Sequence, residues 1–287
     1  MLNTRVALIL ASVALCAIAS HTWAADTLQF AGSKYLYYTV TDLATAYILK
    51  KNPNARITVS ASSTDDAIEG LGNHKLDGVM VFGRLDEDRL LEARENGLKL
   101  KAKLVGRGGV AIIVNRANPV NELTVDQVRR MLLGELHNWK EVGGPDLPIV
   151  RITRDGEVSG TERYVQDVLL NGYPVAQDTR RIFDFDIVHA VWKEKGAIAD
   201  ARYTEAIRGR RDGKVRIIAL KGQPDRPAVL PSKRTIADRS YALSAPLMIY
   251  YDEKTHSPLA KAFLNFCERK EPGTRYSDLD GRRKRHP

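Results

Sequence analysis

The sequence predicts an α/β fold built on a largely parallel sheet with helices on its faces. Two observations predict it. Over residues 28–96, short β-rich apolar runs alternate with segments whose apolar residues recur at helical spacing, in the order βαβαβα. The chain also has 287 residues and is 44% apolar, close to the globular average and enough to bury one large core or two ordinary ones. The same figures exclude a disordered or collagen-like chain.

Taken in order, Leu28-Gln-Phe30 is a first strand leading into Gly32-Ser33, and Leu36 to Lys50 a helix that ends before Asn52-Pro53. Arg56 to Ser60 alternates as a strand, and Ser62 to Leu71 is a short helix with hydroxyl residues at its start. Leu76 to Phe82 is a buried strand, and Asp86 to Asn96 a charged amphipathic helix. Lys103 to Gly106 and Gly109 to Val114 read as two strands closed by Asn118-Pro119. A helix follows over Thr124–Leu133 and a strand over Pro148–Thr153. The loop bearing Ser159-Gly160-Thr161 opens a helix over Glu162–Leu170. Arg216–Leu220 is a strand, Pro224 to Pro231 a proline-rich stretch, Leu247–Tyr251 a late strand and Pro258–Glu268 the last helix.

The first 25 residues read as a secretory signal peptide. Arg5 supplies the positive start, Val6 to Ala19 the apolar core, and Thr22-Trp23-Ala24 the small residues a signal peptidase reads. The apolar run is shorter than the ~20 residues that span a bilayer. A periplasmic location is therefore expected.

The whole chain carries 44 Lys+Arg against 35 Asp+Glu, a formal charge of +9. Cleavage after Ala24 would leave 263 residues and, with Arg5 gone, a balance of +8. The run Arg282-Arg283-Lys284-Arg285 holds four of the remaining bases, and without it the body carries +4. Such a terminal run reads as a solvated basic tail over residues 281–287. It lacks interleaved aromatics, so a nucleic-acid partner is not expected. Cleavage would also remove Cys16 and leave Cys267 alone, in an apolar helical pattern that suits a buried structural thiol. No His/Cys spacing suits a metal, and no cofactor motif is present.

Hydroxyl clusters stand at three strand-to-helix junctions: Ser33 beside Lys34, Ser62-Ser63-Thr64, and Ser159-Gly160-Thr161. A helix start offers unpaired N–H groups and partial positive charge, and hydroxyls there add donors. Converging junctions of this kind hold a small oxyanion, and Arg154 could add a charged fork. Each cluster taken singly is also explained by N-capping.

Further residues carry a resemblance. Gly109 to Asn115, Asn118-Pro119-Val120, Leu123-Thr124, Gly134, Asn138-Trp139 and Val142-Gly143-Gly144 resemble the middle of PstS-like phosphate-binding proteins, the periplasmic receptors of phosphate ABC transporters. Arg154 to Thr161 resembles that family's Arg…Ser-Gly-Thr loop, and Tyr241 to Tyr250 its late hinge strand. Ala31-Gly-Ser33 and Ser60 to Thr64 match its first two ligand loops more loosely. The resemblance runs from about residue 28 to 266.

It implies a type II periplasmic-binding fold, with two lobes, a ligand cleft and two hinge crossovers. Lobe 1 would be residues 26–108 plus 244–287, and lobe 2 residues 109–243. Ser33, Ser62, Arg154, Ser159, Gly160 and Thr161 would hold the ligand, with Ser63 as a near neighbour. The implied function is non-catalytic: a monomer that binds phosphate or a related small oxyanion and delivers it to an ABC-transporter permease.

Departures from the family pattern bear on the ligand. Ala61 and Asp65 stand where glycines are usual. Phe82 and Gly83 fall where the family places a hydroxyl or Ser-Asp, so an acidic acceptor is missing there unless Asp86 reaches in. Lys34 stands where Thr is common, and Arg154 lies one residue further from Ser159 than usual. Lys34 and Arg84 would make the cleft more positive, and the anion need not be phosphate. Two alternatives stay open: an envelope sensor or interaction protein with altered specificity, and a hydrolase or phosphatase using Ser159. The latter has G-x-x-S-G rather than the G-x-S-x-G of a nucleophile elbow, and neither His137 nor His189 is paired with Ser159 by sequence. Asp184 and Asp186 alternate with Phe183 and Phe185 as in a half-exposed strand.

Overall fold

A computed structural model describes residues 27–154, 160–182, 187–223, 225–255 and 257–268. The expected signal peptide, Ser159, the Phe183–Asp186 segment and the basic tail lie outside the described residues.

The chain begins β1 (Thr27–Gly32), α1 (Lys34–Lys50), β2 (Arg56–Val59), α2 (Thr64–Gly72), β3 (Gly78–Phe82) and α3 (Glu87–Glu95). β1 pairs in parallel with both β2 and β3, as the alternating pattern requires. β4 (Leu100–Asn115) is a single 16-residue strand. The two strands read from the sequence are therefore one: Gly106, Gly108 and Gly109 all pair with β11, and the ladder shifts register only at Val105, between Leu247 and Met248.

β4 carries the chain from one half of the sheet to the other. Its first part, Leu100 to Gly109, pairs antiparallel with β11 (Ser244–Asp252), which in turn pairs with β3. Its last part, Val110 to Val114, pairs antiparallel with β8 (Ala197–Arg202). The order is β2-β1-β3-β11-β4-β8-β6-β7, with β9 (Val215–Ile217) also on β4. β6 (Val150–Arg154) lies parallel to both β8 and β7 (Arg180–Ile182). A two-stranded parallel sheet joins β5 (Glu122–Thr124) to β10 (Ala219–Lys221). The strand read over Arg216–Leu220 is thus two short strands in different sheets.

The period-2 geometry of β4 divides the core. Val110, Ile112 and Val114 face one cluster, while Ala111 and Ile113 face another. The first cluster takes α1, α9 (Pro258–Cys267) and the fully buried Trp139, whose indole N–H donates to the Gly196 carbonyl at 2.9 Å. Phe263 meets Phe30 and Tyr47 at 5.2 and 5.4 Å between ring centroids. Cys267 is buried there, as its apolar helical pattern suggests. The second cluster packs α6 (Ile187–Lys193) and α7 (Tyr203–Arg211) on the opposite face. A third lies under α2 and α3. α4 (Val125–Leu132) starts in a full capping box, with Thr124 Oγ1 accepting from the Gln127 N–H and Gln127 Oε1 accepting from the Thr124 N–H. α5 (Gly160–Tyr164) runs into a wider π turn over Val165–Leu169, in place of the uniform helix read over Glu162–Leu170. α8 (Lys233–Ala237) precedes β11.

Candidate functional site

The site is built where β1 and β3 end and where α5 begins. Gly32 closes β1 with φ of +129°. A side chain there would meet the Met80 carbonyl oxygen at 2.3 Å, so only glycine lets β1 lie this close to β3. The next N–H, from Ser33, donates to that same oxygen at 2.7 Å. Ser33 is thereby fixed, 2% exposed, as the N-cap of α1, and its hydroxyl accepts from the Tyr35 N–H. Lys34 is the first, half-buried residue of that helix.

Gly160 approaches from the other half of the sheet. A Cβ on it would fall 2.0 Å from Ser33 Oγ and 3.4 Å from Phe82 Cβ. The Ser33 hydroxyl and the Gly160 backbone are therefore in direct contact where the two halves meet. Thr161 beside it is 1% exposed. The structure thus brings Ser33 and Gly160 together, with Thr161 next to Gly160 in the chain.

Arg154 ends β6 and is wholly buried. Its Nη1 donates to the Asp200 backbone oxygen at 3.0 Å and to Asp200 Oδ2 at 3.1 Å, and its Nη2 donates to Glu205 Oε2 at 2.6 Å. Glu205 also accepts from Arg202, through the backbone N–H at 3.1 Å and Nη1 at 2.6 Å. Two arginines and two carboxylates are thus knit together beneath the site, with their formal charges in balance. Glu162, on the same turn, is pushed above the ordinary carboxylate range, mainly by burial, against the pull of Arg181 at 3.0 Å.

The second hydroxyl cluster sits at the start of α2. Ser63 is the N-cap, accepting from the Asp66 N–H at 3.0 Å. The Ser62 hydroxyl donates to the Ser63 carbonyl at 3.0 Å, and the Ser62 N–H to Gly32 O at 3.0 Å. The capping explanation holds for Ser63, while Ser62 is tied to the loop that carries Ser33. Arg84 is exposed on the turn after β3. Asp86 caps α3 and is bound by Arg89, which also grips Asp65 at 2.6 Å and holds it below the usual carboxylate range. The carboxylate that could have replaced the missing acceptor is therefore engaged in its own helix cap.

Sequence reasoning missed four residues here. Tyr35 stacks on Phe82 at 4.0 Å, and Tyr164 meets Phe82 edge-on at 4.9 Å. The Tyr35 hydroxyl donates to Gly109 O at 3.1 Å and accepts from Gly109 N–H at 3.0 Å, and burial pushes it up to about 12. Asp200 and Glu205 are the other omissions. One signal was available: Asp200 is a lone charge in the apolar run Ala197 to Ala201, and a charge buried in a strand needs a partner. His137 lies in the loop before Trp139, where its N–H donates to Glu141, and His189 packs edge-on against Trp192.

One strand, β4, crosses from one half of the sheet to the other, and helix starts from the two halves meet at Ser33 and Gly160. The chain belongs to the family described as the PBP superfamily domain, whose model matches residues 17–270. It is 25% identical over 226 residues to Protein SphX of Synechococcus elongatus, covering 76% of this chain and 66% of that protein. It is 25% identical over 222 residues to the phosphate-binding protein PstS of Staphylococcus haemolyticus, covering 76% of this chain and 69% of that one. The chain thus spans about two thirds of the length of these relatives. The structure of an ABC-type phosphate transport receptor from Vibrio cholerae superposes with a TM-score of 0.70 at 23% identity, covering 88% of this chain and 96% of that one. The fold is the type II periplasmic-binding fold that the resemblance implies.

Proposed function

We propose that this protein is an exported, non-catalytic solute-binding protein that closes around phosphate or a related small oxyanion and presents it to a membrane permease. The observation that carries the reading is the meeting of Ser33, at the N-terminus of the 17-residue α1, with Gly160 and Thr161 from the other half of the sheet. An anion seated beside this contact would accept from a hydroxyl and backbone N–H groups of both halves. Contacts from both sides favour the closed arrangement, so binding and closure are linked. Lobe 1 would be residues 26–108 plus 244–287 and lobe 2 residues 109–243, with bending at the middle of β4 and the start of β11. Arg154 acts in this reading as a support, its fork fixed by Asp200 and Glu205. Its positive charge is balanced in place, so selectivity falls to the neutral donors. Relatives named as phosphate-binding proteins support phosphate as the first ligand to test.

A second reading, an envelope sensor with an altered ligand, is favoured by one observation: the Tyr35–Phe82–Tyr164 ring cluster beside the ligand loops. A thermal-shift screen separates the readings. Phosphate at 100 times its dissociation constant should add about 2.7 kcal/mol of stability. Protection by none of phosphate, sulfate, molybdate and organic phosphates would defeat the anion reading.

A further inference from the structure

A space of about 270 Å³ opens between the two halves beside these loops. Its walls are mostly apolar: Phe82 and Leu85 from the β3 side, Tyr164 and Val168 from α5 and the π turn, and Pro246 from β11. Gly160 lines it as well, and Gly160 is the residue that faces the Ser33 hydroxyl. The space therefore reaches the anion site at Gly160. Three arginines border it. Arg89 is held by Asp65 and Asp86, and Arg163 by Asp167 at 3.1 Å. Arg84 is exposed and has no hydrogen bond or ion pair among the described residues.

A bare oxyanion has nothing to set against those rings and aliphatic side chains. A ligand with an oxyanion at one end and an apolar group at the other fits both parts. We propose that the space takes the organic group of a phosphomonoester or phosphonate whose oxyanion end lies at Ser33, Gly160 and Thr161. The proposal rests on the anion-binding reading above and names its ligand class. Ligand pockets commonly have this character, with apolar walls and a few convergent polar groups that fix orientation.

Calorimetry on the mature chain with inorganic phosphate and with phenyl phosphate tests it, in the wild type and in Val168→Trp. Val168 is 52% exposed, so a larger side chain has solvent to turn into while its ring caps the space. Phenyl phosphate should bind the wild type at least tenfold more tightly than inorganic phosphate. Val168→Trp should lose that preference and keep inorganic phosphate within twofold. If Val168→Trp does not fold, Val168→Phe serves the same purpose. Binding of inorganic phosphate without a gain for phenyl phosphate would overturn this inference and leave the anion reading standing. A phenyl phosphate preference that survives the substitution would also overturn it, because the ring would then lie elsewhere. Binding of neither would overturn the anion reading and this inference with it.

Discussion

Gly160→Ala adds one methyl group where the two halves of the molecule meet. Its Cβ would lie 2.0 Å from Ser33 Oγ and 2.9 Å from Ser33 Cβ. Ordinary contacts of this kind need more than 3 Å, so one side has to retreat by roughly 1 Å or more. Ser33 has little freedom to do so. It is buried, caps α1, and its N–H is bonded to Met80 O at 2.7 Å. The strain therefore falls on closure. Overpacking of this kind costs about 1–3 kcal/mol, which at a tenfold change per 1.4 kcal/mol means phosphate bound roughly 5- to 150-fold more weakly. Calorimetry should show that loss in a protein that still folds and unfolds cooperatively. Gly72→Ala is the control, since its Cβ would make only an ordinary 3.8 Å contact with Leu98. A folded Gly160→Ala protein with wild-type affinity would refute the claim that the anion is held where Ser33 and Gly160 meet.

Other substitutions test the supports of the site. Arg154→Gln leaves Asp200 and Glu205 without their main cation, and breaking a buried pair in this way should cost about 3–5 kcal/mol by urea unfolding; Asp200→Asn in the same protein should recover part of the loss. Trp139→Ala should cost about 3–5 kcal/mol through its cavity and the lost bond to Gly196, read in the same assay. Tyr241→Phe removes the bond from its buried hydroxyl to Val110 O at 3.0 Å and should cost about 0.5–1.5 kcal/mol without altering phosphate affinity. Asp65 is held below the usual carboxylate range by Arg89, so its contribution is present above pH 4 and is lost as the pH falls through its lowered value; Asp65→Asn should flatten that part of a stability-against-pH curve, while Asp65 remains too exposed for a large effect at neutral pH.

Much of the framework was legible because it rests on local patterns. The strands around Phe30 and Val79, the helix after Ser33 and the helix over Thr124–Leu133 all follow from periodicity and end signals. The hydroxyl clusters were equally visible, and two of them, Ser33 and Gly160-Thr161, come together in space. What the pattern could not supply is pairing at a distance. Arg154 reads as a fork for a ligand, and its bonds to Asp200 and Glu205, 46 and 51 residues further on, leave no trace in the local pattern. The region from Ile187 to Arg211 was not resolved into elements, because its helices have only seven and nine residues and its strand interrupts an alanine-rich run with a buried Asp. β4 was split in two because three glycines suggest a break, whereas the ladder to β11 continues through them. Phe82 was marked by its place in the sequence, but its partners Tyr35 and Tyr164 come from two other helices.

The central claim is that an oxyanion is held between Ser33 and the Gly160–Thr161 turn. A crystal structure of the mature chain grown with inorganic phosphate tests it most directly. The account predicts one anion within hydrogen-bonding distance of the Ser33 hydroxyl and of Gly160 or Thr161, with both halves of the sheet in contact with it. An anion bound elsewhere, or held by one half alone, would contradict it.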